Sequence, residues 1–341
     1  MKLPQNLPNA LQYSKEELVD ILLKEEYGFL PKAPSSISAE MVSETKTFCA
    51  GFAPLVEYSL KCETENGEFS FPVNFVCPIS EKPLPCFILM NSESGAPTKY
   101  HPAEEIADNG FAVLSFNYKD VTSDDADFTN GLAGVVFKNG RGPEDCGKIG
   151  LWSWAALRVF EFALTLPQID PKKISVVGHS RLGKTALLTG ALEERLFAAI
   201  SNCSGSCGAA LSKDKKGEDI AFITDRFGYW FKESFKDYAG KDNELPFDQH
   251  YLIAANIPHY VYVGSGAGDI WADPNAELLG CVAASEYYEK HLSKGFIFNE
   301  DEVSENCCFH EGNICYHRRP GKHYLSRKDW HNYMEFMKTK I

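Results

Sequence analysis

The sequence has no C-x-x-C pair, no internal repeat, no low-complexity tract and no apolar run of about 18 residues or more. Each absence closes off a class of protein. The eleven cysteines, an odd number, show no zinc-ligand spacing: Cys203 and Cys207 are four apart, and Cys307 and Cys308 are adjacent. They are expected as small buried hydrophobes in a reducing compartment, with no metal to hold. Without a long apolar run, nothing is expected to span a membrane. The opening "MKLPQNLPNALQYSKEELVD" lacks the apolar stretch of an export signal. The expected location is therefore the cytoplasm, or the periplasm or exterior if a leader has been removed. Positive charge is also scarce, with 34 Lys and Arg against 47 Asp and Glu and a net charge of −13. Such a surface repels polyanions, so neither nucleic acid nor an anionic membrane is an expected partner.

What the chain does have is 44% hydrophobic residues over 341 positions, enough for the core of one large α/β domain. "SKEELVDILLKEEYG" predicts a helix opened by a Ser14/Glu17 capping box and closed by Gly28. "VEYSLKCETENGEFSFPVNFVCP" predicts a hairpin turning at Gly67. The helix and hairpin form an N-terminal extension over about residues 1–80. From Cys86 the rhythm changes to short apolar runs alternating with helical patterns. "CFILMN", "FAVLSFNY", "KISVVGHS", "FAAISNCSG", "HYVYVGSGAGD" and "ICYHRRPGKH" read as strands. "HPAEEIADNG", "LWSWAALRVFEFALTL" and "RLGKTALLTGALEER" read as helices. This alternation predicts a mostly parallel central sheet with helices on both faces, a three-layer sandwich. An aromatic-rich insertion, about 204–257, predicts a helical cap over the C-terminal edge of the sheet, where α/β sites lie.

The stretch "GHSRLGKTA", Gly178–Ala186, follows a β-branched run and opens a helix. Gly178, Gly183, Lys184 and Thr185 fit the phosphate-loop pattern G-x-x-x-x-G-K-[ST], while Gly178 and Ser180 fit the front of the nucleophile elbow G-x-S-x-G. A phosphate loop usually follows the first strand of its domain, whereas this stretch follows at least two core strands and a long helix. The elbow reading uses more of the chain. A nucleophilic serine needs a base to take its proton and an acid to orient that base. Ser180, Asp269 and His323 occur in the order nucleophile, acid, base, each after a predicted strand, as an α/β-hydrolase requires. His317 falls inside the last predicted strand, and His310 lies before it. The backbone N–H of Arg181 should sit in the oxyanion hole at a helix N-terminus. Lys184 shares a helix face with Arg181. Asp273, beside Pro274, is the alternative acid, although that pair also reads as a helix start.

The elbow departs from the usual pattern in one place: Leu182 stands where a glycine is expected, and Gly183 follows it. With "GHSRLGKTALLTGA", "ISNCSGSCGAALS", "DIWADP" and "CYHRRPGKH", the chain from about Cys86 onward resembles carbohydrate esterase family 15, the glucuronoyl esterases, and their bacterial members above all. The resemblance implies an α/β-hydrolase fold, a cofactor-free serine esterase mechanism, and a substrate in which glucuronic acid is esterified to an alcohol. It also implies that the Arg181 guanidinium helps hold the oxyanion, and that Lys184, Glu218 and Trp271 meet the sugar, with Arg226 in the cap as a further contact. By the same resemblance, the Glu that many members carry after the strand following the elbow is Cys203 here, and the acid that the family also carries after the next core strand corresponds to Asp269. Two other functions fit the same residues: deacetylation of an acetylated sugar on the same triad, and carbohydrate binding without catalysis.

Overall fold

The computed structural model describes residues 2–341. Ten strands form one sheet: β1 (Ser36–Thr45), β2 (Leu55–Thr64), β3 (Gly67–Val76), β4 (Leu84–Asn91), β5 (Ala112–Asn117), β6 (Ile169–His179), β7 (Ala198–Asn202), β8 (Tyr260–Gly266), β9 (Cys307–Phe309) and β10 (Ile314–Arg319). Their spatial order is β1-β2-β3-β5-β4-β6-β7-β8-β10-β9. The block from β5 through β4, β6, β7 and β8 to β10 is parallel throughout. The hairpin extension and β9 join it antiparallel at the two ends. The helices are α1 (Lys15–Leu22), α2 (Ala103–Asp108), α3 (Tyr118–Val121), α4 (Gly131–Val136), α5 (Lys148–Ala163), α6 (Arg181–Leu192), α7 (Ile220–Phe227), α8 (His250–Ala254), α9 (Pro274–Leu292) and α10 (Arg327–Lys340).

A strand covered on both faces should be apolar throughout, and β4 is from Leu84 to Met90, with the polar Asn91 at its end. Cys86, Ile88 and Met90 face the core shared with α1, α5, α6, α8 and α9, while Phe87 and Leu89 face a second core under α2 and α10. This gives the three layers read from the sequence. Both capping-box bonds of Ser14 and Glu17 form at the start of α1. Tyr118, read as the end of a strand, instead opens α3, because the Asn117 side chain accepts a hydrogen bond from Lys119 N and caps a helical turn.

Two long helices, α9 and α10, and the strands β1 and β9 carried no clear sign in the sequence. β1 is exposed along almost its whole length, so it lacks the alternation that marks a half-buried strand. In α9 small and polar residues surround the buried ones, which blurs any apolar stripe. α10 does bury Trp330, Tyr333, Met334 and Met337 at helical spacing, although its composition is strongly charged.

The insertion between β7 and β8 divides in two. α7 carries the exposed Phe222 and leads into the aromatic turn at Tyr229 and Trp230. α8 packs against α1, α6 and α9 on the flank.

The turn from β6 into α6 is sterically specified. A Cβ on Gly178 would lie 1.9 Å from the Leu182 carbonyl oxygen. On Gly183 it would lie 3.0 Å from both Ser201 Oγ and Ser204 Cβ. Gly178 lets the chain double back, and Gly183 lets the first turn of α6 approach β7. The glycine displaced by one position is thus required by helix-to-strand packing. Gly178→Ala is expected to destabilise the fold by about 3 kcal/mol or more, because backbone rather than a flexible side chain must move; chemical denaturation against wild type checks this.

Candidate active site

Ser180 sits at the tip of that turn with φ 60° and ψ −126°, a conformation rare for a residue with a side chain. It is held there because Ser180 N donates to Asn202 O at 2.8 Å, while Gly183 N and Lys184 N donate to Ser180 O. The Asn202 side chain braces the same turn. Its Oδ1 lies 2.7 Å from His179 Nδ1, and its Nδ2 donates to Tyr333 Oη on α10 at 2.8 Å. Arg181 N is the first amide of α6, a position with no carbonyl one turn earlier to bind.

His323 lies on the loop after β10, with its Nδ1 2.7 Å from Asp269 Oδ2. Asp269 follows β8 and is 6% exposed, whereas the His323 side chain is 44% exposed. The His323 ring packs against His179, next to the serine, with centroids 4.6 Å apart. The structure therefore brings an oriented imidazole to the elbow. Burial works against the Asp269 charge. The hydrogen bond and charge of His323, helped by Ala272 N and the Cys203 thiol, outweigh it and hold the carboxyl below the ordinary carboxylate range.

The rival residues are engaged elsewhere. Asp273 caps α9, with Oδ1 accepting from Asn275 N and Ala276 N, and Oδ2 accepts from Lys216 N. His317 is buried within β10, with Nε2 2.7 Å from Asp329 Oδ1. His310 lies 2.6 Å from Tyr262 Oη and edge-on to Phe336 of α10.

Cys203 follows β7 and is buried beside the pair; its Sγ, an Asp269 oxygen and a His323 nitrogen all lie within 4.8 Å of one another. Behind them is a buried carboxyl that the sequence reading missed. Glu277 accepts from Gly205 N at 2.9 Å and from Ser265 Oγ at 2.6 Å, tying together the strand ends that carry Cys203 and Asp269. Burial raises its pKa to about 6.

The Arg181 guanidinium pairs with Asp124, a second residue the sequence reading missed, and lies over the Trp230 ring at 4.6 Å from its centroid. Asp124 also accepts from Trp230 Nε1 and Tyr118 Oη, both at 2.8 Å. One carboxylate thus fixes the arginine, the aromatic turn and α3 together. Nothing in "TSDDADFTN" distinguishes Asp124 from its acidic neighbours Asp125 and Asp127.

Lys184 is buried. Its ammonium donates to Ser204 O and Ser206 O at 2.5 and 2.6 Å and faces Glu218 Oε2 at 3.9 Å. An ammonium spent on two carbonyls is not a free phosphate ligand, which disposes of the phosphate-loop alternative. Glu218, although its stretch is rich in charge, is largely covered, and its N donates to Trp271 O at 3.0 Å. Trp271 is half exposed and meets Phe222 edge-on at 4.8 Å. Arg226 lies over the other side of Phe222, at 5.8 Å. The four residues read as sugar contacts therefore form two groups. Lys184 and Glu218 pair at depth; Trp271 and Arg226 are exposed, and each meets the Phe222 ring. A cavity of about 590 Å³ lined by Lys213, Lys216, Asp273 and Asn275 contains none of Ser180, His323 and Asp269.

A strained serine on a strand-to-helix turn, with a His–Asp pair beyond later strands of a parallel sheet, defines the α/β-hydrolase class. Within that class, the family model described as "Glucuronyl esterase, fungi" matches residues 60–291, and the chain belongs to the glucuronoyl esterase family. It is 37% identical over 236 residues to a carbohydrate esterase from an unknown prokaryotic organism, covering 68% of this chain and 54% of that one. It is 29% identical over 217 residues to 4-O-methyl-glucuronoyl methylesterase 1 of Sodiomyces alcalophilus, covering 60% and 43%. The chain thus spans about half the length of these curated relatives. The glucuronoyl esterase structure from Solibacter usitatus superposes with a TM-score of 0.89 at 26% identity, covering 100% of this chain and 98% of that one. A promiscuous family 15 esterase from a marine bacterial metagenome gives 0.86 at 26%, covering 100% and 97%.

Asp269→Asn is expected to lower kcat for ester hydrolysis on the order of 10³- to 10⁴-fold with little change in KM, because the imidazole loses its orienting charge. The stability contributed by Asp269 is present above the ordinary carboxylate range and lost as pH falls through its depressed value. The melting temperatures of wild type and Asp269→Asn should therefore converge only as pH is taken below the ordinary carboxylate range of about 4. Asp124→Asn frees the Arg181 guanidinium and should lower kcat by roughly 10- to 100-fold, as read in steady-state kinetics.

Proposed function

We propose that this protein hydrolyses the ester between a glucuronic acid, 4-O-methylated or not, and an alcohol. The His323–Asp269 pair at 2.7 Å, its imidazole packed on His179 beside the strained Ser180, is the observation that carries the reading. Ser180 Oγ attacks the ester carbonyl as His323 Nε2 takes its proton. Negative charge on the tetrahedral oxygen is met by the Arg181 backbone N–H at the head of α6 and by its guanidinium. The intermediate collapses as His323 returns the proton to the leaving alcohol, and the uronoyl group remains on Ser180. Water, deprotonated by His323, then releases the acid. No step calls for a cofactor or a metal.

The sugar is the acyl part, so its binding residues must lie on the acyl side of Ser180. Lys184 and Glu218 would act there as one buried charged pair that presents acceptors and a remaining ammonium hydrogen to sugar hydroxyls. Trp271 and Phe222 offer a half-exposed aromatic wall for a sugar ring, with Arg226 at its edge. The eleven cysteines are all free thiols, which supports action in a reducing compartment such as the cytoplasm.

Methyl and benzyl glucuronate should be hydrolysed by the wild type, and Ser180→Ala should reduce the rate by several orders of magnitude. Release of acetate from an acetylated sugar with no cleavage of either uronate ester would instead assign the triad to a deacetylase. A Ser180→Ala variant as active as wild type would remove the mechanism.

A further inference from the structure

Cys203, buried beside the His323–Asp269 pair, gives the site a chemistry beyond proton transfer. Thiolate sulfur, imidazole nitrogen and carboxylate oxygen are the ligand set of borderline-soft divalent cations, zinc above all. Here one atom of each kind, from Cys203, His323 and Asp269, lies within 4.8 Å of the other two. Tetrahedral zinc, with bonds of roughly 2.0–2.3 Å, needs its ligand atoms roughly 3.3–3.8 Å apart. Two of the three, Asp269 Oδ2 and His323 Nδ1, are already 2.7 Å apart and have only to open around an ion.

The surroundings favour a cation. The Glu277 carboxyl is buried directly behind the loops bearing Cys203 and Asp269. Arg319, whose charge bears on Cys203, is itself paired with Asp329. His323 is nearly half exposed and forms the solvent side of the cluster, so an ion can enter by a turn of one side chain.

We propose that Cys203, Asp269 and His323 form an inhibitory site for a thiophilic divalent cation, with zinc as its probe. Binding replaces the Cys203 thiol proton, which passes to the buffer, and breaks the Asp269–His323 hydrogen bond. An imidazole metallated at Nδ1 carries its proton on Nε2, the nitrogen that must accept the proton of Ser180. The cation therefore blocks the base without touching the nucleophile. Three protein ligands leave a coordination position for water, so the ion remains removable by a chelator.

The inhibition rests on the esterase reading given above, but the binding does not, and the two are measured separately. Binding is followed by titrating wild-type protein with Co²⁺, whose thiolate complex gives a charge-transfer absorption, and by calorimetry with Zn²⁺. A thiolate–cobalt band should appear, and Cys203→Ser should abolish it and weaken Zn²⁺ binding by at least about tenfold. Cys308→Ser serves as the control, because the exposed Cys308 Sγ lies 2.9 Å from His310 Nε2 and could itself hold a thiophilic ion; this variant should leave the band intact. If Cys203→Ser does not fold, Asp269→Asn takes its place and should weaken Co²⁺ binding while keeping the thiolate band at higher cobalt. Hydrolysis of methyl glucuronate should fall with Zn²⁺ and recover with chelator. Equal binding by wild type and Cys203→Ser, a band lost in Cys308→Ser, or no thiolate band at all would overturn the proposal. A band that depends on Cys203 in a protein that cleaves no uronate ester would keep the metal site and overturn the esterase reading instead.

Discussion

The site depends on one backbone conformation, that of Ser180 at positive φ. A side chain held there costs on the order of 1–3 kcal/mol, and the cost is tolerated only where the surroundings determine the turn several times over. In this chain they do. The residue before the strand's end must lack a Cβ, the residue three beyond the serine must be small enough to meet β7, and the serine's own N–H and C=O are both bound. The same residue that accepts the serine's N–H, Asn202, also holds the neighbouring histidine and a tyrosine on α10. Strand β7 therefore serves as the template against which the nucleophile is bent.

Around this turn the charges are arranged in pairs. Asp124 holds Arg181, Asp269 holds His323, Asp329 holds both His317 and Arg319, and Lys184 faces Glu218. In each case a carboxylate meets a hydrogen-bond donor or an opposite charge, as it must where water cannot solvate it. The two histidines of "CYHRRPGKH" show what this decides. His317 is enclosed and bound at both nitrogens by Tyr262 and Asp329. His323, six residues on, keeps one nitrogen free and one face open to solvent. The same residue type thus does structural work in one place and is available for chemistry in the other.

The layered sheet and the order of Ser180, Asp269 and His323 were legible because both are written locally: apolar runs of strand length, glycines at a turn, and polar residues just past strand ends. The assignment of Asp273 as a cap was equally local, since Pro274 follows it. Asp124 and Glu277 were not legible, and the reason is physical. Each owes its position to partners far along the chain, Arg181 and Trp230 for one, Gly205 and Ser265 for the other. Within its own segment each looks like any acidic residue of a loop or helix. The pairing of Lys184 with Glu218 was not legible either. Both were read as sugar contacts, yet nothing local shows that the insertion folds back, buries both and pairs them with each other. β1 escaped notice because an edge strand that buries nothing has no reason to alternate.

The hydrogen bond from Asn202 to Tyr333 has a consequence in time as well as in space. A chain made from its N-terminus has the nucleophile in hand long before the helix that braces it. Until α10 docks, Asn202 lacks one of its anchors and the second core lacks Trp330, Met334 and Met337. The serine turn is then strained without full support and can relax into an ordinary, unreactive geometry. His323 and the loop that carries it are made just ahead of that helix. The reactive centre is thus among the last parts of the molecule to become fixed, and an unfinished chain carries the nucleophile without the means to use it.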